Sequence, residues 1–170
     1  RDTDRSRGLG DVYKRQTEYK GDGFVKQDSI CGADCKACAW STDCGGCAET
    51  NGQPFGKPCI AAGYCRNGKQ ALEDFKKELA EAFNRLHIEG MGEVTNFNAL
   101  KGSFINLEYR LPSGQAVRFW EDDKIYFGNQ LCKKGSDRCY GLAADEKYLL
   151  VCEYGDNGAD AEIVVFKRWN

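Results

Sequence analysis

The sequence predicts an α+β protein with an N-terminal cysteine-rich metal-binding module, one amphipathic helix and a C-terminal antiparallel sheet of about five strands. Three observations lead to this fold class. Residues 29–67 hold seven of the ten cysteines, residues 68–90 repeat apolar side chains at helical spacing, and residues 91–170 alternate apolar and polar side chains between turns. A helix followed by a run of short strands is typical of an α+β fold, in which the helix packs with the sheet.

The composition indicates a globular chain that does not bind nucleic acid or membrane. The 170 residues are 41% hydrophobic and carry a formal net charge of −2, with no block of Lys or Arg. Such a chain is a poor ligand for a phosphate backbone. It contains no run of 18 apolar residues and no visible signal peptide. We therefore expect a cytoplasmic protein whose partner, if it has one, is another protein.

Residues 1–28 are expected to be a leader that is non-native or disordered. The hexapeptide Asp11–Gln16, DVYKRQ, resembles one translated frame of the transposase end sequence used to prepare sequencing libraries. We therefore exclude residues 1–16 from the fold reasoning, as one excludes a cloning scar. The remaining residues carry 19 basic and 23 acidic side chains, so this exclusion leaves the chain mildly acidic.

The module at residues 29–67 is predicted to bind a metal ion through thiolates. Its candidate ligands are Cys31, Cys35, Cys38, Cys44, Cys47, Cys59 and Cys65. If CGADCKAC is helical, its three cysteines share one face, as thiolates on one ion must. In CGGC, two glycines let the backbone turn tightly, so that two sulfurs can point at one centre. A tetrahedral zinc ion needs four such ligands, and the spacings leave the choice of four open.

Three chemistries compete for these cysteines. Zinc is favoured as a structural ion, and an iron–sulfur cluster in a redox protein or enzyme is the alternative, since four cysteines suffice for either. A disulfide-stapled extracellular domain is the second alternative. The odd count of seven cysteines and the C-x2-C spacings favour a metal over disulfides.

The helix of residues 68–90 is predicted from one apolar stripe. Its members, at spacings of three and four, are Leu72, Phe75, Leu79, Phe83 and Leu86. Such a stripe most often covers the protein's own core, so we expect it to pack on the sheet that follows. On the opposite side, Glu73 and Lys77 have the i,i+4 spacing of an ion pair.

The sheet of residues 91–170 is predicted from five segments that alternate or are strongly apolar. They read SFINLEYRL, QAVRFW, IYFG, KYLLVCEY and EIVVFKRW. LPSG joins the first two as a tight turn, and EDDK and GDNGAD are further turns. Short strands joined by turns indicate an antiparallel meander.

The other reactive side chains are expected to be structural, and no catalytic or cofactor-binding residue is predicted. His87, the only histidine, should face the negative end of the helix dipole. Cys152 alternates with apolar neighbours and should be a small buried side chain. Arg138 beside Cys139 would favour a thiolate, but a Cys/His pair is not expected with so few histidines. Asp145 should be a solvated turn residue.

The cysteine pattern resembles a known family. CGADCKACAW, CGGC, KPCIAAGYC, the helix end with IEGM and LEYRLPSGQAVRFW are similar to the bacterial cysteine-rich domain of unknown function 3795, over about residues 29–170. The resemblance implies a zinc-binding protein without an established activity, and all seven candidate ligands fall on its cysteine pattern. Many members carry further cysteines just after the position of Cys65, where this chain has none before its helix. This departure favours one ion rather than two.

Overall fold

The structure is a computed structural model, and it describes residues 44, 46–104, 107–155 and 160–170. The predicted leader, residues 1–28, lies outside the described residues. The described helices are α1 (Ile60–Cys65) and α2 (Lys69–Asn84), and the described strands are β1 (Asn98–Lys101), β2 (Glu108–Arg110), β3 (Ala116–Arg118), β4 (Ile125–Cys132), β5 (Cys139–Ala144), β6 (Tyr148–Tyr154) and β7 (Glu162–Arg168). None of the described helices has the length and apolar content that crossing a membrane requires.

Five strands form one antiparallel sheet in the order β1-β4-β5-β6-β7. The predicted helix and five-stranded antiparallel sheet are thus confirmed, but the membership of the sheet differs from the prediction. The segments SFINLEYRL and QAVRFW contribute β2 and β3, which pair with each other in a separate two-stranded ribbon. β1 and β5 take their places in the large sheet.

β5 escaped prediction because it is a central strand with apolar neighbours on both faces. Its sequence, CYGLAA, shows no alternation, and five of its six residues are buried. Leu142 and Ala144 belong to the core on the helix side of the sheet, whereas Ala143 belongs to a second core on the other side. Strands covered on both faces lose the apolar–polar period that marks a half-exposed strand.

The apolar stripe of α2 packs on the sheet, as predicted. Leu72, Phe75, Leu79 and Phe83 are buried, and the ring of Phe75 lies 6.0 Å from that of Phe127 on β4. Leu86 follows the end of the helix and is half-buried against the same core. On the exposed side, Glu73 pairs with Lys76 at 3.9 Å rather than with the predicted Lys77.

The β2–β3 ribbon covers part of the other face of the sheet. The turn LPSG closes the ribbon as predicted, since the Leu111 N–H donates to the Gln115 carbonyl at 2.9 Å. Leu107 and Trp120, both at the open end of the ribbon, are buried in the second core. The ring of Phe119 lies 4.6 Å from that of Phe166 on β7. The sheet therefore has apolar cover on both faces.

Asp145 differs from its prediction, because it is only 8% exposed. Its Oδ1 accepts the N–H groups of Lys147 at 2.8 Å and Tyr148 at 2.9 Å, which closes the turn between β5 and β6. Its Oδ2 lies 3.2 Å from the Lys124 ammonium. The Trp169 indole N–H donates to the Asp145 carbonyl at 3.0 Å. The two backbone amides and the Lys124 ammonium compensate the carboxylate for its lost hydration.

A cluster of four charged side chains joins the turn between β4 and β5 to β6 and to the segment that precedes β7. Glu153 accepts from the Lys133 ammonium at 2.9 Å and from the Arg138 guanidinium at 2.7 Å. Arg138 also contacts Asp160 at 2.5 Å. The hydrogen bond from Lys133, followed by that from Arg138, lowers the pKa of Glu153 below its usual range. The Gly155 N–H, followed by Arg138, lowers the pKa of Asp160.

We expect Leu79→Ala to lower the free energy of unfolding by about 3 kcal/mol, because it leaves a cavity at a side chain that is 0% exposed. Urea unfolding measures the change. Lys77→Ala, on the exposed side of the same helix, is the control and should change it by less than about 0.5 kcal/mol. Equal losses in the two variants would contradict the packing of α2 described above.

We expect the charged cluster to stabilise the fold at neutral pH and to stop doing so in acid. Because the folded-state pKa of Glu153 is lowered, its contribution is present above the unfolded pKa of about 4.3 and is lost as the pH falls through the folded value. Thermal unfolding between pH 7 and pH 3 should show a smaller decrease for Glu153→Gln than for the natural protein. Glu162→Gln, across from Glu153 on β7, is the control, because it also removes one carboxylate from the sheet and leaves the cluster intact. Equal pH dependence in the two variants would contradict the prediction.

Candidate metal centre

The structure describes four of the seven predicted metal ligands. Cys44, Cys47, Cys59 and Cys65 are half-buried, and Cys31, Cys35 and Cys38 lie outside the described residues. Cys59 is the residue before the first turn of α1, and Cys65 is the last residue of that helix. The cysteines thus occur at the boundaries of local structure, where a bound ion would join a loop to a helix.

Cys44, Gly46 and Cys47 are the described residues of the CGGC segment, and a backbone turn begins at Cys47. Gly46 has a φ of +81°, a conformation that glycine adopts without steric cost. Its N–H donates to the Sγ of Cys44 at 3.3 Å. Hydrogen bonds from backbone amides to sulfur are part of the outer shell of metal–thiolate sites, where they stabilise the negative sulfur. The turn continues as Thr50 donates its N–H to the Gly46 carbonyl at 3.0 Å.

Gly52 connects the backbones of Cys47 and Cys59. Its N–H donates to the Cys47 carbonyl at 2.7 Å, and its own carbonyl accepts the Cys59 N–H at 2.9 Å. One residue therefore holds together two candidate ligands that are far apart in the sequence. Both hydrogen bonds join backbone atoms, so they fix the positions of the Cys47 and Cys59 backbones.

Glycine is favoured at position 52 by its backbone conformation and by a close neighbour. Its φ is +83°, and an added Cβ would lie 2.9 Å from the Arg66 guanidinium and 3.4 Å from the Cβ of Ala62. That guanidinium donates to the backbone carbonyl of Asn51 and, at 2.7 Å, to the Asn51 side-chain oxygen. Since Arg66 follows Cys65 directly, this contact brings the end of α1 back to the turn that follows Cys47.

The described part of the module is anchored to the main core. The Ile125 N–H, at the start of β4, donates to the Pro58 carbonyl at 3.1 Å, and Cys59 forms a parallel bridge with Ile125. The ring of Tyr64 stacks on that of Phe75 with 4.0 Å between centroids. α1 is therefore held by packing that does not depend on a metal.

Among the residues that the structure describes, no three His, Cys, Asp or Glu side chains converge on a common centre for a metal ion. Their donor chemistry fits zinc or iron, since both metals take thiolate ligands. A four-ligand site drawn from all seven candidates would involve residues outside the described ranges.

His87 is far from the cysteines of α1. Cys65 precedes the first residue of α2, whereas His87 follows its last residue, and sixteen helical residues separate the two ends by about 24 Å. His87 is exposed and has a φ of +50° just past the helix end. Among the described residues, neither His87 nor Cys65 belongs to a group of three side chains that could hold a metal ion.

Sequence reasoning missed Gly52 and Arg66. The dipeptide Asn51-Gly52 is a turn signal, since both residues tolerate a positive φ, and here both have one. The signal predicts a turn, but it does not show that the turn contacts Cys47, Cys59 and Arg66. Those contacts depend on how α1 folds back over the loop.

Comparisons with protein-family models, curated proteins and solved structures gave no match for this chain. The resemblance to the domain of unknown function 3795 therefore stays a prediction.

We expect Gly52→Ala to destabilise the module more than Gly56→Ala does. Both glycines have a positive φ, +83° and +88°, so both substitutions carry a backbone cost of about 1–2 kcal/mol. Only the Cβ at position 52 meets Arg66, whereas at position 56 no atom lies within 4 Å. Hydrogen exchange of residues 46–66 measures the difference, and equal protection in the two variants would show that the Gly52 contacts do not hold the module together.

Proposed function

We propose that the chain is a zinc-binding protein in which zinc is structural and organises the cysteine-rich segment from Cys31 to Cys65 as a binding or scaffold module. The observation that carries this proposal is the hydrogen bond at Cys44, whose sulfur accepts the Gly46 N–H at 3.3 Å. The crowding of seven cysteines into residues 29–67 supports it. The resemblance to the cysteine-rich family supports it from the pattern of the same residues.

The role assigned to zinc follows from the distribution of apolar side chains. The sheet and α2 share a core of completely buried aliphatic and aromatic residues, so they hold together without a metal. Residues 46–58 instead form consecutive turns, with Pro54 as the one large side chain that is buried there. A segment with so little apolar burial cannot offset the entropy of ordering its backbone. Metal–thiolate bonds supply that free energy, so that metal binding is coupled to folding of the module.

Removal of the metal should affect the turns before α1 and leave α1 and the sheet unchanged. α1 is fixed to β4 through Pro58 and Cys59, and it should remain in place. The turns that precede it depend on Gly52 and on the ion. Zinc therefore acts on the position of Cys44 and Cys47 relative to the packed domain, and a partner protein would recognise the surface that these turns form.

We expect protein purified without oxygen to contain about one zinc per chain, and removal of zinc by a chelator to abolish hydrogen-exchange protection in residues 29–58 while β4–β6 keep theirs. Elemental analysis and exchange mass spectrometry make the two measurements. Cys44→Ser and Cys47→Ser should lower the zinc content. Cys132→Ser, whose exposed cysteine lies in the sheet, is the matched control and should keep it.

Three results would contradict the proposal, and each points to a different chemistry. A brown protein with visible absorption would indicate an iron–sulfur cluster. Few reactive thiols under denaturing, non-reducing conditions would indicate disulfides. A colourless, metal-free protein that keeps full protection in residues 29–58 under reducing conditions would show that the module folds without any cross-link.

A further inference from the structure

Two cysteines outside the cysteine-rich module lie directly opposite each other in the sheet. Cys132 ends β4, Cys139 begins β5, and the two are register partners in the antiparallel pair. Both are free thiols, one exposed and the other half-buried. Directly opposed residues of an antiparallel pair project to the same face of the sheet, so the two sulfurs share one side of the hairpin.

The register places this pair at a non-hydrogen-bonded position. The next pair toward the turn, Lys133 and Arg138, is joined by a backbone hydrogen bond of 2.9 Å. Hydrogen-bonded and non-hydrogen-bonded pairs alternate along an antiparallel ladder, and Cα atoms of the second kind are about 4.5 Å apart. That separation falls within the range of about 4.4–6.8 Å that a disulfide spans. The register is therefore compatible with a bond between the two sulfurs.

The hairpin is held in this register from its other face. Lys133 and Arg138 follow and precede the two cysteines, so their side chains point to the opposite side, where both bind Glu153 at 2.9 and 2.7 Å. One carboxylate thus joins the two strands beside the thiols. The arrangement also corrects the expectation for Cys139, because the charge of Arg138 is paired with Glu153 and Asp160 and lies on the face away from the sulfur.

We propose that Cys132 and Cys139 form a reversible dithiol–disulfide site that exchanges with small-molecule disulfides. The exposed Cys132 thiolate attacks one sulfur of the small disulfide, which breaks its S–S bond and releases one small thiol after proton uptake. The Cys139 thiolate then attacks Sγ of Cys132, forms the cross-strand S–S bond and releases the second small thiol. The protein loses two electrons, the small disulfide gains them, and the two protein thiol protons end on the two released thiols.

The third cysteine of the sheet provides an internal reference. Cys152 lies on the neighbouring strand, is 1% exposed and donates its S–H to the Gly141 carbonyl at 3.5 Å. Burial raises its pKa to about 12. Since the thiolate is the species that exchanges, Cys152 should stay a thiol where the other two react.

Tryptic peptide mapping tests the proposal on the full chain. The protein is equilibrated without oxygen in mixtures of reduced and oxidised glutathione, quenched in acid, labelled with N-ethylmaleimide and digested. Trypsin places each of the three sheet cysteines in its own peptide: residues 125–133 for Cys132, 139–147 for Cys139 and 148–167 for Cys152. We expect the first two peptides to be linked by a bond that dithiothreitol cleaves, and the third to carry the label.

Two variants and a second readout complete the test. Cys132→Ser should abolish the link, whereas Cys152→Ala should keep it. Oxidation should raise the melting temperature of the natural protein by about 5 °C more than that of Cys132→Ser. The disulfide restricts the unfolded chain, and even a short closed loop gives a measurable stabilisation.

The proposal is overturned if glutathione is found on Cys132 and Cys139 separately without a link, if either is linked to a cysteine of the module, or if both keep the label in the most oxidising mixture. The proposal does not rest on zinc binding, because neither cysteine is among the predicted zinc ligands. The zinc content of Cys132→Ser is measured separately.

Discussion

Helix α2 places its apolar side on the five-stranded sheet, and the positions of the other elements depend on that contact. Leu79 and Phe83 are completely buried there, and Phe83 packs on Phe97 with 5.5 Å between ring centroids. Three residues separate the end of α1 from the start of α2, so the docking of α2 also fixes α1 over the start of β4. Cys59 and Cys65, at the two ends of α1, thereby receive their positions from the hydrophobic core of the sheet.

The cysteines of this protein differ in environment, and environment decides their chemistry. Cys152 is enclosed by apolar side chains, which disfavour its charged form, and it acts as a small core residue. Cys132 and Cys139 end neighbouring strands at a turn, where solvent and a facing thiol are both within reach. In the module, Cys47 lies in a turn, Cys59 and Cys65 lie at the two ends of α1, and the sulfur of Cys44 accepts a backbone N–H.

The sequence predicted the elements whose signals are local. The stripe of α2 and the LPSG turn both occur where expected, because a 3.6-residue period and a Pro-x-Gly turn depend on neighbours in the chain. Which strands belong to the main sheet was harder to predict from the sequence. β1 has only four residues, and β5 is built from Gly, Leu and Ala between two cores, so that neither shows an alternating pattern.

The sequence by itself determined an amphipathic helix, several antiparallel strands and a crowded group of cysteines with metal-ligand spacing. Only the tertiary structure decided that β2 and β3 leave the main sheet, that Asp145 is buried with partners, that Gly52 joins Cys47 to Cys59, and that Cys132 faces Cys139. The physical reason is that strand register and loop closure depend on burial across the whole domain. A shift of one residue in register turns every side chain of a strand to the other face, and only the packed core selects among such shifts.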